Sequence, residues 1–295
     1  MINKMKINFV KYFKQMFVIS VSIFTISILS LLFIGIPSSI DFTGGTIINI
    51  KVDTDINLSN LRQALEENLN QSVSVVEVKS NNESYVLLKM SYLSDEQVIN
   101  DLLKKVYGNS YTINQIESIG PKIGDELRVN ARNAIIASLL LIGMYISIRF
   151  DGYYAIGSLF ALLHDVFITL GIFVFMNVEI SISIIAALLT IVGYSLNDTI
   201  VIYDRIRENM SLNPYRDKKK IFNTSLNQTL NRTLVTSLTT LIVVLVLYIY
   251  GGDVLQPFSI ALIIGIILGT YSSIFIASPV TLFLEEKYNI EEEED

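Results

Sequence analysis

ISISIIAALLTIVGYSLNDTIVIY, residues 180–203, decides the fold. At ~1.5 Å per helical residue this run crosses the ~30 Å hydrocarbon layer of a bilayer, and Asp198 is its one charged residue. Working outward, five more runs share its character: 16–36, 134–148, 153–176, 234–250 and 254–284. Flanking Asn, Thr and Ser extend the shorter ones, so the expected spans are 16–36, 131–149, 153–176, 180–203, 232–250 and 254–284. Hydrophobic residues make up 51% of the 295, more than an ordinary soluble domain carries. The chain reads as a polytopic α-helical membrane protein with six transmembrane helices.

Lys4, Lys6, Lys11 and Lys14 precede the first run, as in a signal peptide. That run exceeds the ~7 to 15 apolar residues of a cleavable signal, and Pro37, Ser38, Ser39 and Ile40 offer no small-x-small site, so it is expected to remain as the first span. Basic residues in short loops set orientation. With residues 1–15 cytoplasmic, that side holds those four lysines, Arg149, Arg205, Arg207, Arg216, Lys218, Lys219, Lys220 and Lys287. The short outer loops, 177–179 and 251–256, hold no Lys or Arg. Arg128 and Arg132 fall on the outer side without outweighing this asymmetry. Both termini are therefore expected in the cytoplasm, with 204–231 a cytoplasmic loop and 285–295 a solvated acidic tail.

Residues 37–130, between the first two spans, then lie outside the cytoplasm. Residues 44–52 alternate with β-branched side chains and read as a strand; Leu58, Leu61, Ala64, Leu65 and Leu69 follow at helical spacing. Strands at 72–79 and 84–90 flank a turn at Asn81 and Asn82. Ser94 and Gln97 form a capping box ahead of a helix carrying Val98, Leu102, Leu103 and Val106, and 111–119 closes the unit as a fourth strand. The order βαββαβ is that of a ferredoxin-like extracytoplasmic domain. Asp53, Asp55, Glu66, Glu67 and Glu83 could be grouped as a calcium site, but solvated faces and turns account for them more simply.

The remaining chemistry is narrow. A net charge of −6 argues against nucleic acid, and a chain without cysteine and with one histidine has no thiolate or polyhistidine metal site. No P-loop or nucleophile-elbow serine occurs, so neither a cofactor nor an enzymatic reaction is expected. Ionisable groups inside spans are costly and mark function by default. They fall in three places: His164 and Asp165; Asn197 and Asp198; and Gln228, Asn231 and Arg232, followed by Thr233, Thr236, Ser237, Thr239 and Thr240. Asp198 lies about two turns before the interfacial Arg205, and Arg232 opens the fifth span from the same side, so a carboxylate–guanidinium pair is expected between them. Taken alone, Arg232 also reads as a snorkelling interfacial arginine. Asp204, next to Arg205 and Arg207, reads as a surface charge. His164 shares a stripe with Gly157, Ala161, Ile168 and Gly171, and serves equally as a secondary proton relay or as a packed histidine; Asp165 points about 100° away with no partner named by the sequence. Ala261, Gly265 and Gly269 form a small-residue packing face, toward a neighbouring span or a second subunit.

These residues resemble the SecF family. The resemblance rests on Asp41-Phe42-Thr43-Gly44-Gly45, Gly120-Pro121 with Gly124, Arg149-Phe150, His164-Asp165, Gly193-Tyr194-Ser195-Leu196-Asn197-Asp198-Thr199, Tyr203-Asp204-Arg205-Ile206-Arg207-Glu208-Asn209, and Asn231-Arg232-Thr233 with Thr236-Ser237-Leu238-Thr239-Thr240. It implies half of a twelve-helix bundle of the resistance-nodulation-division type, with SecD supplying the other half. It implies a chain of the bacterial inner membrane that uses the proton gradient to help the SecYEG channel, and indirectly the SecA motor, move preproteins. It implies a proton-coupling role for Asp198, Arg232 and the neighbouring Asn197. Asp41, Phe42, Gly44, Gly45, Gly120, Pro121 and Gly124 are then expected to transmit a change to the outer domain. A small-molecule or lipid exporter of the same superfamily and a passive assembly scaffold are the competing readings.

Overall fold

The computed structural model describes residues 7–52, 58–80, 83–93, 100–101, 103–104 and 111–294. Lys4, Lys6, Asp53, Asp55, the Asn81–Asn82 turn and the Ser94–Gln97 capping box lie outside the described residues. The elements are α1 (Phe9–Phe33), α2 (Ile40–Thr43), β1 (Gly45–Val52), α3 (Leu58–Leu69), β2 (Ser74–Ser80), β3 (Glu83–Met90), β4 (Tyr111–Ile119), α4 (Pro121–Arg149), α5 (Gly152–Phe175), α6 (Ile182–Leu212), α7 (Lys218–Tyr250), α8 (Gly252–Ser272), a π-helical turn (Ser273–Ala277) and α9 (Ser278–Glu294). Among the described residues, six helices are long and apolar enough to cross a membrane, the sixth running Leu255–Lys287 through the π turn. The chain divides into two compact units, Met1–Pro37 with Asn133–Asp295, and Ser38–Arg132.

In the smaller unit the strands form one antiparallel sheet in the order β2-β3-β1-β4. This is the ferredoxin-like arrangement. The register places Ile48 opposite Leu88 and Ile50 opposite Val86, and all four are fully buried with Leu61 and Leu65 of α3 and with Leu103. Such cross-strand pairs on the covered face hold a register, because a one-residue slip would turn every one of them to solvent. Between Asn49 and Ile50 the pairing of β1 with β4 shifts by one residue, so Ile48 meets Ile116 and Ile50 meets Ile113. Glu66 ties α3 to the start of β2, its Oε1 accepting from the Val73 N–H at 3.1 Å.

The spans are longer than the apolar runs that reveal them. The segment expected as a loop, 204–231, is helical except for the few residues between Leu212 and Lys218, because α6 continues as a charged, water-facing helix after the membrane stretch and α7 begins with Lys218-Lys219-Lys220. The second span likewise starts at Pro121, and the first at Phe9 rather than residue 16. The expected solvated tail is helical as far as Glu294.

Small residues set the packing of the larger unit. A Cβ placed on Gly269 of α8 would lie 2.8 Å from the Ser195 Cβ of α6, and one on Gly265 would overlap Ile191. The packing face read from the sequence therefore docks on α6, within the chain. Gly171 of α5 meets Ser27 of α1 in the same way, and Gly157 lies against Thr281 and the Tyr203 hydroxyl. Packing thus concentrates on α5, α6 and the last span, whereas only 6% of the apolar window of α4 and 11% of that of α7 are buried. We expect Gly269→Leu to lower the thermal unfolding midpoint in detergent by several degrees, as overpacking of about 1–3 kcal/mol would. Gly193→Ala should leave it unchanged, since a Cβ there meets no atom within 4 Å.

Candidate functional site

Asp165 is the centre of the larger unit. It is 1% exposed, one turn before Thr169, whose hydroxyl donates to the Asp165 carbonyl. Its Oδ2 accepts from the Ser195 hydroxyl of α6 and from the Ser272 hydroxyl of α8, each at 2.7 Å, and its Oδ1 accepts from His164 Nδ1 at 3.0 Å. His164 is buried between the rings of Phe24 of α1 and Tyr271 of α8, with centroids at 6.4 and 6.3 Å and both pairs stacked. Its Nε2 has no hydrogen-bond partner among the described residues. Tyr271 is itself fixed to α1, exchanging a 2.7 Å hydrogen bond with the Ser20 hydroxyl and donating to the Met16 carbonyl. One carboxylate and one imidazole thereby tie four helices.

Asp198 lies almost one turn beyond Ser195 on α6 and is 2% exposed. Its Oδ2 accepts from the Ser237 hydroxyl of α7 at 3.3 Å, and Ser237 shares a 2.6 Å hydrogen bond with the Thr270 hydroxyl of α8. Thr270 and Ser272 are two residues apart on α8, and Ser195 and Asp198 three apart on α6, so the same two helices carry residues of both hydrogen-bonded groups. The helix following Ser272 is the π turn, a local widening that recurs at functional sites.

The expected Asp198–Arg232 ion pair is not formed. Thr233 and Ser237, four residues apart, are the buried residues that α7 turns inward here, and Arg232 sits about 100° round from Thr233 on the exposed face. It remains within electrostatic reach of Asp198. Asn197 is exposed on the outer side of α6 and does not join the cluster.

The other motif residues form a clamp at the end of α6. Arg205 donates from Nε to the Gln228 side-chain oxygen at 2.6 Å, and Asn209 donates to the same oxygen and to the Ser225 hydroxyl, both at 2.8 Å, joining α6 to α7. Arg207 donates to the Arg149 carbonyl, and Arg149 pairs with Asp204 at 3.3 Å, joining α6 to α4. Asp204 is thus a partly exposed inter-helix partner.

In the smaller unit, the two motifs that bracket the sheet pack on each other. Gly44 has φ +70°, and a Cβ there would lie 2.9 Å from the Pro121 Cα; a Cβ on Gly124 would lie 3.0 Å from the Gly44 nitrogen and 3.3 Å from the Phe42 carbonyl. Gly45 has φ +147° and begins β1 against the Met90 carbonyl, while Gly120 ends the loop before Pro121. Arg128 locks the contact by donating to the Phe42 carbonyl at 2.8 Å. Asp41 occupies the first turn of α2, its N–H donating to the Ser39 hydroxyl.

A family model described as protein export membrane protein SecD/SecF, C-terminal, matches residues 98–287. The chain is 42% identical over 282 residues to the protein translocase subunit SecF of Vibrio alginolyticus, covering 94% of this chain and 90% of that one. This chain belongs to the SecF family. SecF of Calditerrivibrio nitroreducens is 38% identical over 293 residues, covering 96% of this chain and 95% of its own. A crystal structure of SecDF from Thermus thermophilus, described as a translocon-associated membrane protein, superposes with a TM-score of 0.86 at 37% identity, covering 96% of this chain and 39% of the SecDF chain. A second SecDF crystal structure, in a super-membrane-facing form, gives 0.74 at 36% identity, covering 99% of this chain and 40% of that one. The SecF-family chain thus corresponds to well under half of a SecDF polypeptide.

Removing one member of a buried, hydrogen-bonded charge cluster leaves its partners desolvated, at a cost on the order of 3–5 kcal/mol. Asp165→Ala strands the Ser195, Ser272 and His164 donors, so a fall of ten degrees or so in the unfolding midpoint is expected from circular dichroism in detergent. Asp198→Asn retains an oxygen to accept from Ser237 and should stay within about 1 kcal/mol of the parent.

Proposed function

We propose that this chain is a protein-translocase subunit that joins a SecD chain into a twelve-span assembly. In this reading it uses proton flow to promote preprotein movement through the SecYEG channel, alongside or after the movement driven by SecA. Its relatives named protein translocase subunit SecF, and SecDF chains uniting both names, support the first part. Proton coupling rests on the buried Asp198. Among the described residues no Lys or Arg lies within ion-pair distance of it, so it is a carboxyl held in a membrane interior by hydroxyls alone. An isolated charge in such a place is expensive, and proton uptake is the route by which a carboxyl sheds one.

The mechanism follows from the position of Arg232. An ionised Asp198 attracts the guanidinium waiting one residue off the inward stripe of α7; a protonated Asp198 releases it. The position of α7, only 11% of whose apolar window is buried, therefore depends on the proton. Each proton delivers ~2.3 kcal/mol per 100 mV of membrane potential, enough to shift a balanced helix packing by more than tenfold. The buried Asp165–His164 pair on the adjoining helix α5 takes the role of secondary relay in this reading. The Asp41 to Gly45 and Gly120 to Gly124 contact bridges the points where the chain enters and leaves the outer domain, and in this reading it carries the helix movement outward. The charge asymmetry of the loops supports an inner-membrane placement with both termini cytoplasmic.

Inverted membrane vesicles give the test. With ATP and SecA present, Asp198→Asn should lose at least about tenfold of the translocation stimulated by an imposed proton gradient, while SecA-driven translocation without a gradient stays at the parent's level. An unchanged gradient response would overturn proton coupling through Asp198, and an equal loss without a gradient would assign the residue a structural part.

A further inference from the structure

Where α1 and α7 begin, the bundle opens into a groove of about 410 Å³ whose walls carry four cations. Lys11 comes from the first turn of α1, Arg216 from the connection before α7, and Lys219 and Lys220 from its first turn; Asn8 and Asn223 complete the polar lining. The arrangement is fixed by the backbone. Asn8 caps α1 by accepting from the Lys11 N–H at 3.3 Å, Asn223 accepts from the Val10 N–H, and Asn227, one turn on, both accepts from the Ile7 N–H and donates to the Ile7 carbonyl. The start of α1 is thus moored along one face of α7, and the two basic turns cannot drift apart.

The charges are unevenly used. Lys219 lies 3.6 Å from Glu286, and the Asp217 carboxylate caps α7 by accepting from the Lys219 N–H at 3.0 Å. Lys11, Arg216 and Lys220 have no carboxylate within ion-pair distance among the described residues, and no Asp or Glu lines the groove. Three uncompensated cations held together repel one another, and nothing in the bundle's packing needs them there. An anion with several oxygens removes this repulsion.

Its position selects among anions. The groove lies where the first apolar span starts, and α1 exposes Val18 (57%) and Ile19 (50%) only two turns deeper. We propose that it is a binding site for the phosphodiester headgroup of an anionic phospholipid, with the acyl chains running along the exposed face of α1. Basic pockets between spans on the cytoplasmic side of a membrane suit this chemistry. The leaflet rests on the topology proposed above; the binding does not.

Native mass spectrometry of the full chain, released from detergent with equal amounts of dioleoyl phosphatidylglycerol and dioleoyl phosphatidylcholine, reads the site without reference to transport. The parent should retain one phosphatidylglycerol with at least about a fivefold preference. Combined Lys11→Gln, Arg216→Gln and Lys220→Gln should bring the two lipids to parity, Lys11→Arg with Lys220→Arg should keep the preference, and Lys14→Gln, outside the groove, should not alter it. Equal retention of both lipids by the parent, or a preference that survives the triple change, would overturn the site. Displacement of the lipid by millimolar inorganic phosphate would reassign it to a soluble anion and overturn the lipid.

Discussion

A carboxylate kept from water must be given hydrogen-bond donors by the protein, and in this chain that requirement organises the bundle. Asp165 draws one hydroxyl from α6 and one from α8 and an imidazole from its own helix, and that imidazole is held between aromatic rings of α1 and α8. The two hydroxyls reach Asp165 at 2.7 Å, so the helices that supply them are held in rotation as well as in distance. The glycine contacts permit this, because hydroxyls as short as those of Ser195 and Ser272 reach a carboxylate only when backbones nearly touch.

The second carboxyl, Asp198, occupies a different environment. Its donors come from the weakly packed α7, with the Ser237 hydroxyl at the longer distance of 3.3 Å and itself shared with Thr270. The molecule therefore combines an anchored acid with a lightly held one, on the adjoining helices α5 and α6. A centre that must change its state needs the second kind, and a scaffold that must not move needs the first.

The sequence made the frame readable and left the contacts hidden. Period-two alternation in 44–52 and 84–90 located the strands to within a residue or so, because burial on one sheet face leaves no other pattern open. Apolar runs found the six spans but not their ends, since charged turns such as Tyr203 to Asn209 are helical yet look like loop. The partners of Asp165 lie 30 and 107 residues away, and a serine in an apolar run carries no mark of what it faces. Ser195 within the family motif and the Ser272–Ser273 pair in an otherwise apolar run were the available hints. The Asp198–Arg232 pairing failed through rotation: the depth matched, but on a helix one residue is about 100° of direction. Gln228 and Asn209 were noted only as polar and motif residues, although together with Arg205 they tie α6 to α7.

The π turn at Ser273 to Ala277 has a bearing on the last span as a whole. Before it, Ser272 meets Asp165; after it, Thr281 shares a 2.8 Å hydrogen bond with Tyr203. An uninterrupted α-helix advances by a constant angle per residue, and the wider turn changes that advance once, by an amount comparable to one residue's rotation. The stretches of the span before and after it are thereby given separate bearings, and each can present its hydroxyl to a different partner. Like two gears cut out of phase on one shaft, they allow a single helix to mesh at two different angles.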